Sequence, residues 1–320
     1  MKAIRVHAYG DPEVMGLETI AEPEPYPGQV LVRVYAIGVN PVETYIRSGI
    51  YPHGAPLPYT PGTDAAGVVE AVGSGVTRVE LGDRVYTSHS LSGTYAEKTL
   101  CLESQVHPLP EGVSFEQGAG VTVPYAAAYR ALFQRARAAA GEVVLVHGAS
   151  GGVGVAAVQL GAAFGLTVIG TAGTEEGRTL TTVQGAQYVL DHHDPEHYSQ
   201  ALALTEGGGV DVILEMLARE NLGDDLKILA NGGRVVVIGT RGTVTIDPRD
   251  TIAKETSIMG MYIWNAGDRE TAGIHAALGA GLANGTLRPI IGKELPLAEA
   301  PRAHHEILET GAYGKIVLIP

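Results

Sequence analysis

The chain of 320 residues has few of the features that mark secreted or membrane-bound proteins. It contains a single cysteine, Cys101, which excludes an internal disulfide and a structural zinc site built from four cysteines. Its first residues show no long apolar core followed by a small-residue cleavage site, and no apolar run approaches the length that spans a bilayer. We therefore expect no secretion signal and no membrane anchor, and we expect a cytoplasmic protein.

Positive charge is also scarce in this sequence. Lys and Arg number 22 against 35 Asp and Glu, which gives a formal net charge of −13. Because affinity for nucleic acid depends on clustered Lys and Arg, this balance disfavours a broad phosphate-binding surface. Among the 11 histidines only the pairs His192-His193 and His304-His305 are adjacent, and no group of Cys, His, Asp and Glu has ligand spacing. We therefore predict no metal site.

Two kinds of pattern divide the chain. Before about residue 110, strand-like segments such as 29–37, 66–72 and 82–87 are separated by Gly, Pro and Asp, which indicates a β-rich, barrel-like unit. Farther on, strand-like and helix-like segments alternate, which is typical of a parallel sheet covered by helices. The six predicted strands are 143–146, 167–170, 188–190, 210–214, 234–238 and 257–263, and the helices include 155–164 and 222–229. A helix at 272–283 and a strand at 315–319 are predicted to complete the first domain.

The most informative motif is the octet HGASGGVG, which runs from His147 to Gly154 between a strand-like run and an Ala-rich helical segment. Against the pattern G-x-G-x-x-G, Ala149 replaces the first glycine, whereas Gly151 and Gly154 hold the other two positions. Glycines allow a strand to turn sharply into a helix and leave room for a pyrophosphate against bare backbone. The octet therefore indicates a dinucleotide site.

The same octet also fits the nucleophile elbow of a serine hydrolase, G-x-S-x-G, with Ser150 as the nucleophile. A triad would need Asp247 or Asp250 together with His304, but no oxyanion-hole motif of the His-Gly-Gly-Gly kind is present. A hydrolase elbow normally follows several strands of its own parallel sheet, and here the preceding strands belong to another unit. This context favours the cofactor loop, and a glycine-rich turn without a ligand is the third interpretation.

The end of the second strand of the alternating region bears on the type of dinucleotide. An acidic residue there would bind the ribose 2′-hydroxyl of NADH, but the chain has Thr171 and Ala172. Their presence favours NADPH, although two glutamates at 175 and 176 weaken the inference. Arg178 and His192 could contact a 2′-phosphate, and a solvated surface role explains Arg178 equally well.

Loop segments 40–45 and 58–64 of the first domain are polar and aromatic, as in loops that line a cleft. Asn40 and Tyr45 are the candidates there for catalytic residues that orient a substrate. The alternative is that Asn40 caps a turn and that Tyr45 is a partly buried packing residue.

Several segments together resemble the ζ-crystallin-like NADPH:quinone oxidoreductases, a zinc-free branch of the medium-chain dehydrogenase/reductase superfamily. The resemblance covers nearly the whole chain and is carried by segments 38–49, 58–62, 147–154, 171–177, 215–218, 232–235 and 241–243. Where the related alcohol dehydrogenases have a Gly-His-Glu segment with zinc ligands, this chain has Pro61-Gly62-Thr63-Asp64.

The resemblance implies an α/β fold in which a Rossmann doubly wound parallel sheet accompanies a GroES-like β-barrel-type catalytic domain. Residues 1–122 and 264–320 would form the GroES-like domain, and residues 123–263 the dinucleotide-binding domain. Family members are homo-dimers or homo-tetramers, and segment 257–263 is a plausible sheet-extending edge.

The resemblance also implies a reaction, which is transfer of reducing equivalents from NADPH to a quinone by hydride transfer or by one-electron steps through a semiquinone. Asn40 and Tyr45 would orient the reactants, and the quinone oxygens would take protons from water. The residues implied to hold the cofactor are Tyr45, Ser150, Gly151, Gly152, Val153, Gly173, His192, Asn221, Ile238, Gly239, Thr240, Arg241, Met261, Tyr262 and Ile263, and Arg178 joins them from the 2′-phosphate argument.

Two further alternatives stay open. Reduction of the activated C=C bond of an enone or alkenal uses the same fold and cofactor, so the sequence barely separates it from quinone reduction. Some family members bind AU-rich RNA, but the acidic balance of this chain argues against RNA binding as its primary role.

Overall fold

The computed structural model describes residues 1–51 and 54–320, which divide into two compact units. Unit 1 comprises Met1–Val123, Leu278–Glu309 and Gly314–Pro320, and unit 2 comprises Pro124–Ala277 and Thr310–Tyr313. The first boundary lies beside the predicted one, but residues 264–277 belong to unit 2 and not, as expected, to the first domain.

Arg130 explains why residues 264–277 stay with unit 2. Its guanidinium donates to Glu270 Oε2 at 2.7 Å and to the carbonyl of Asn265 at 3.3 Å. Arg130 is buried, so removing these acceptors would leave a buried charge without compensation.

Within the described residues, fifteen strands form three sheets. They are β1 (Lys2–Val6), β2 (Met15–Thr19), β3 (Gln29–Gly38), β4 (Asp64–Val72), β5 (Arg84–Thr87), β6 (Lys98–Leu102), β7 (Val106–Pro108), β8 (Val143–Val146), β9 (Thr167–Thr171), β10 (Tyr188–Leu190), β11 (Val210–Glu215), β12 (Leu229–Val237), β13 (Ser257–Gly260), β14 (Ile291–Pro296) and β15 (Lys315–Ile319).

The α-helices are α1 (Pro41–Ser48), α2 (Phe115–Ala119), α3 (Thr122–Tyr129), α4 (Gly152–Ala163), α5 (Glu175–Val183), α6 (His197–Leu204), α7 (Ala218–Ile228), α8 (Arg249–Ile252), α9 (Asp268–Ala283) and α10 (Ala300–Glu306). A π-helical segment, Arg130–Arg135, continues α3, and short 3₁₀ segments lie at Pro12–Val14, Glu103–Gln105, Ile263–Asn265 and Leu297–Glu299.

Unit 1 is built around β3, whose ten residues make it the longest of these strands. The sheet runs in the order β14-β15-β3-β4-β5-β7, β6 also pairs with β3, and β1 and β2 form a separate antiparallel pair. The predicted return of 315–319 to this unit is confirmed, because Val317 and Leu318 of β15 pair with Gly38 and Ile37 of β3.

Unit 2 holds one parallel sheet in the order β10-β9-β8-β11-β12-β13. All six predicted strands are present, so the doubly wound α/β architecture is confirmed. The Val- and Ile-rich sequences of the inner strands β8, β9 and β11 are typical of strands with both faces covered. The strand order reverses between β8 and β11, and this topological switch point opens a crevice at the carboxyl ends of the strands.

The glycine-rich octet lies at this switch point and joins β8 to α4. The helix begins at Gly152, three residues before the predicted start, because glycines are weak helix formers and give little helical signal. A Cβ on Gly154 would lie 2.2 Å from the carbonyl oxygen of Gly148 and 2.5 Å from the Cα of Ala149. Only glycine allows the helix to approach the loop this closely.

The substitution Gly154→Ala is expected to lower the free energy of unfolding by about 1–3 kcal/mol, because the added methyl group meets backbone that cannot move aside. The matched control is Gly273→Ala on α9, where a Cβ meets nothing within 4 Å and a gain of roughly 0.5–1 kcal/mol is expected. Urea denaturation of both variants measures the difference. Equal effects in the two helices would contradict the close-approach argument.

Candidate functional site

The predicted cofactor residues of unit 2 follow the carboxyl ends of its strands. Residues 150–153 follow β8, Gly173 follows β9, His192 follows β10, Asn221 lies in α7 after β11, residues 238–241 follow β12, and residues 261–263 follow β13. Because the carboxyl ends of parallel strands meet at one edge of a sheet, the fold brings these residues to the same edge. Their roles as cofactor contacts stay predictions.

The amino end of α4 supplies the anion-binding part of this edge. Gly151 is the N-cap residue, and a Cβ there would be in ordinary van der Waals contact with Ala312 Cβ at 3.5 Å. The first backbone N–H groups of a helix lack intrahelical acceptors and carry partial positive charge, which suits a pyrophosphate. Thr171 supports the loop, since its Oγ1 accepts from Gly148 N at 3.3 Å and its carbonyl accepts from Ala149 N at 2.8 Å.

Ser150 is not arranged as a nucleophile. Its hydroxyl donates to the carbonyl of Ala312 at 2.7 Å, whereas His304 Nε2 lies 3.1 Å from the hydroxyl of Tyr95 and Asp247 accepts from Arg249. The structure therefore does not favour the serine hydrolase alternative.

Arg178 and His192, the two residues proposed to contact a 2′-phosphate, differ in how free their side chains are to bind it. Arg178 Nη1 donates to Asp191 Oδ2 at 2.7 Å, so its charge is largely compensated by that carboxylate. His192 borders Gly173, where a Cβ would lie 2.6 Å from His192 Nε2. Desolvation, and then the neighbouring His193, hold the pKa of His192 below its ordinary value. Of the two, His192 is the better candidate, as a neutral hydrogen-bonding group.

In unit 1, Asn40 lies at the centre of a buried polar network. It is the N-cap of α1, where its backbone N–H donates to Glu43 Oε2 at 2.9 Å. Its side-chain amide donates to Asp64 Oδ2 at 3.1 Å, and its Oδ1 accepts from Lys315 Nζ. Because these partners occupy the amide, the structure gives Asn40 a positioning role and does not present it as a free donor to substrate.

The same network contains two carboxylates and one cation. Asp64 and Glu43 are buried, and Lys315 Nζ lies 3.7 Å from Asp64 Oδ2. Burial raises the pKa of Glu43 to about 7, although Tyr95 donates to its Oε2 at 2.7 Å and lowers that pKa in part. Burial also raises the pKa of Asp64 and lowers that of Lys315. A single ammonium cannot neutralise two buried carboxylates, so burial favours one retained proton in the network, and Glu43, with its pKa raised to about 7, is the candidate to hold it.

Tyr45 occupies the outer part of the same helix. Its side chain is half-buried, and within residues 1–51 and 54–320 its hydroxyl has no hydrogen-bond partner. Unit 1 also contains a cavity of about 570 Å³, within the size range of small-molecule sites. Its lining includes Glu43, Ile46, Tyr59, Thr63 and His89. Tyr45 does not itself line this cavity, although its helix neighbour Ile46 does, so a contact between Tyr45 and a ligand stays a prediction.

The loop of residues 61–64 does not fit a zinc ion. It supplies neither Cys nor His, and its carboxylate, Asp64, contacts the ammonium of Lys315, whose charge opposes a divalent cation. Cys101 is buried in unit 1, and burial raises the pKa of its thiol to about 12, which keeps it from being a thiolate ligand.

A second buried cluster lies in unit 2 and escaped the sequence interpretation. His147, Glu215 and Asp225 are buried, and their ligand-type atoms lie within 4.8 Å of one another. They are far apart in the chain, so no spacing motif signals them. Their position is the one available signal, because His147 directly follows β8 and Glu215 ends β11, the two strands that flank the switch point.

The fold and this edge define a class of protein. A doubly wound sheet whose switch point carries a glycine-rich loop, accompanied by a mainly antiparallel second unit, is the architecture of a dinucleotide-dependent oxidoreductase.

Comparison with known proteins specifies the family. Residues 26–111 match the alcohol dehydrogenase GroES-like domain, and residues 152–277 match the zinc-binding dehydrogenase domain. The chain is 49% identical to the quinone oxidoreductases of Rattus norvegicus and Homo sapiens, across 100% of this chain and 98% of each relative. It belongs to the quinone oxidoreductase family of the medium-chain dehydrogenase/reductase superfamily.

Solved structures agree with this assignment. The Escherichia coli quinone oxidoreductase complexed with NADPH has a TM-score of 0.90 at 29% identity, with full coverage of both chains. A mycobacterial protein complexed with NADPH has a TM-score of 0.91 at 30% identity, again with full coverage. In the described part of this chain, no helix has both the length and the apolar character needed to cross a bilayer.

The substitution Lys315→Met is expected to lower the free energy of unfolding by about 3–5 kcal/mol, because it leaves Asp64 buried without its cation. Adding Asp64→Asn should recover part of the loss. The control is Lys293→Met on the adjacent strand β14, where an exposed lysine pairs with Glu306 and at most about 1 kcal/mol is expected. Urea denaturation checks all three, and an equal loss at both lysines would show that the buried pair has no special role.

Proposed function

We propose that the protein is an NADPH-dependent quinone reductase. The observation that carries the proposal is the glycine-rich loop at the switch point. This loop leads into the amino end of helix α4, where a dinucleotide would bind. The relatives that share half of its residues along their full length are quinone oxidoreductases.

Bound NADPH supplies a hydride, and the residues of this chain bind and orient it. Backbone N–H groups at the start of α4 would hold the pyrophosphate, and the close approach at Gly154 keeps that helix end against the loop. The second strand ends on Thr171, whose hydroxyl is engaged with the loop, so the strand itself does not end on the carboxylate that would bind a ribose 2′-hydroxyl. This arrangement supports NADPH over NADH.

In unit 1 the buried network fixes α1, and α1 carries Tyr45. Asn40 and Glu43 form the capping box that sets the start of the helix, and Lys315 holds Asn40 in turn. Rigid placement of the reactants can supply several kcal/mol of rate acceleration, and a quinone accepts hydride without an obligatory side-chain acid. Water can protonate the product oxygens. We therefore assign Tyr45 to ligand contact and Asn40 to positioning.

NADPH is expected to bind at least about tenfold more tightly than NADH, the difference that one or two hydrogen bonds to a 2′-phosphate provide. Titration against the intrinsic fluorescence of Trp264 and the tyrosines measures both Kd values. His192→Ala should weaken NADPH more than NADH, whereas Arg178→Gln should do little, because Asp191 already compensates that charge. Tighter binding of NADH would overturn the cofactor assignment.

Quinones are expected to be better acceptors than enones by at least about tenfold in kcat/KM, since they accept hydride without activation. The test is steady-state NADPH oxidation with 9,10-phenanthrenequinone, 1,4-benzoquinone and a small enone. Tyr45→Phe should lower kcat/KM for quinone by about tenfold, the worth of one hydrogen bond. The control is Tyr26→Phe, at a side chain 72% exposed in the same unit. A preference for the enone would make the protein a double-bond reductase.

We further infer a homo-dimer or homo-tetramer in the cytoplasm, with RNA binding not a primary role. Strand β13 is the last in the order of its sheet, and Ile258 on it and Ile252 beside it are exposed, as expected of an edge that a second copy would extend. The net charge of −13 argues against RNA binding as a primary role, because RNA is itself negatively charged. Light scattering coupled to size-exclusion chromatography measures the oligomeric state.

A further inference from the structure

The cluster formed by His147, Glu215 and Asp225 lies at the switch point and has no part in the mechanism above. His147 directly follows β8, Glu215 ends β11, and Asp225 projects from α7. His147 Nε2 lies 2.8 Å from Asp225 Oδ1 and 3.6 Å from Glu215 Oε2. Both acidic side chains are fully buried, which makes every charge and proton in the cluster energetically important.

Two carboxylate oxygens of the cluster lack an obvious partner. Glu215 Oε2 and Asp225 Oδ2 are buried without a hydrogen-bond partner among the described residues, and so is the hydroxyl of Tyr198, which faces Asp225. Two bare carboxylate oxygens in one buried cluster repel each other, and each would cost free energy of desolvation. One proton placed between the two carboxyl groups satisfies both oxygens at once, since a protonated carboxyl group is a donor.

The charges around Glu215 agree with one retained proton. The titratable groups that face it are His147 from the end of β8, Asp225 from α7 and Tyr198 from α6. Burial raises the pKa of Glu215 to about 7. Burial acts to lower the pKa of His147, but the charge of Asp225 and the hydrogen bond to it more than offset this, so that pKa lies above its ordinary value. One imidazolium, one carboxylate and one carboxylic acid leave the cluster neutral.

Glu215 connects the cluster to predicted cofactor residues. Its Oε1 accepts from the Asn221 side chain at 3.3 Å and from the backbone N–H of Leu217. Its main-chain carbonyl accepts from Ile238 N at 2.8 Å and from Gly239 N at 3.2 Å. The same residue therefore holds the turn after β11, the end of β12 and the one side-chain amide among the predicted cofactor contacts.

We propose that Glu215 is a positioning residue for NADPH, which holds Asn221 in place while sharing a proton with Asp225 beside the His147 imidazolium. The proposal rests on the proposed function only for the identity of the dinucleotide. Loss of the shared proton would place a second negative charge at the crevice and weaken binding of the anionic cofactor as the pH rises.

The test measures Kd for NADPH by fluorescence from about pH 6.5 to about pH 9. The wild-type Kd should rise by roughly threefold or more across this range as Glu215 ionises. Glu215→Gln keeps an acceptor for Asn221 and places an amide donor where the shared proton lies, so its Kd should match the wild type at the lower pH and stay constant. The control is Glu220→Gln on α7, the helix that carries Asn221, where an exposed glutamate lies beside Arg219 and wild-type behaviour is expected.

A double-mutant cycle tests whether Glu215 acts through Asn221. Glu215→Ala and Asn221→Ala should each raise Kd by about tenfold, and the double variant should bind no more weakly than Asn221→Ala alone. Additive losses, a pH-independent wild type, or wild-type pH dependence in Glu215→Gln would each overturn the proposal. So would about one equivalent of zinc or manganese in the purified wild type, because the cluster would then be a metal site.

Failure of the proposed function leaves a different result. In that case no quinone supports NADPH oxidation, while the pH dependence of Kd and its loss in Glu215→Gln persist. Circular dichroism of each variant separates a binding defect from unfolding, and Glu215→Gln, which conserves shape, keeps the test valid if Glu215→Ala does not fold.

Discussion

The reversal of strand order between β8 and β11 is the constraint on which the rest of unit 2 depends. Neighbouring parallel strands normally send their connections to the same side, but at the reversal the chain leaves β8 and β11 towards opposite faces, and a crevice opens at their ends. The glycine-rich loop and the buried His147, Glu215 and Asp225 cluster both lie at that opening. The glycine-rich loop leaves β8 there, and His147 and Glu215 sit where each strand stops.

Each of the two units buries two acidic side chains together with one basic side chain. Unit 1 buries Glu43 and Asp64 with the single ammonium of Lys315, and unit 2 buries Glu215 and Asp225 with the single imidazole of His147. With one cation for two carboxylates, a neutral cluster needs one retained proton, and in both units burial raises the pKa of a glutamate to about 7. Such clusters stabilise a fold less than apolar packing would, so their value lies in fixing neighbouring groups. Asn40 and Asn221 are the groups that they fix.

The sequence could predict what depends on local pattern. Runs of Val and Ile marked the six strands of unit 2, and the octet marked the turn after β8, because both signals lie within a few residues of the chain. The start of α4 was missed by three residues, since Gly152 and Gly154 lack helical propensity but are needed by the loop. Residues 264–277 were assigned to the wrong unit because the contact that holds them, from Arg130 to Glu270, joins positions 140 residues apart.

The candidate site was harder to predict than the fold because its contacts join residues that are far apart in the chain. Asn40 looked like a loop donor, and only the return of the C-terminal strand, which carries Lys315, shows that its amide is already engaged. His147, Glu215 and Asp225 form a cluster only because strand order brings β8 and β11 together. Residue type alone did not separate a surface role for Arg178 from a phosphate contact, and its pairing with Asp191 now favours the former.

The choice of acceptor follows from how unit 1 uses its charges. In the related alcohol dehydrogenases a Gly-His-Glu segment supplies zinc ligands, whereas here Thr63 and Asp64 stand in that loop and Asp64 contacts Lys315. The ammonium of Lys315 beside this carboxylate would repel a divalent cation. The same ammonium is already paired with Asp64 and donates to Asn40, so it is not available to a substrate. The loop therefore offers little to polarise an unactivated carbonyl. A quinone needs no such help, because its ring accepts hydride readily, and a site that mainly holds the two reactants in place is sufficient for it.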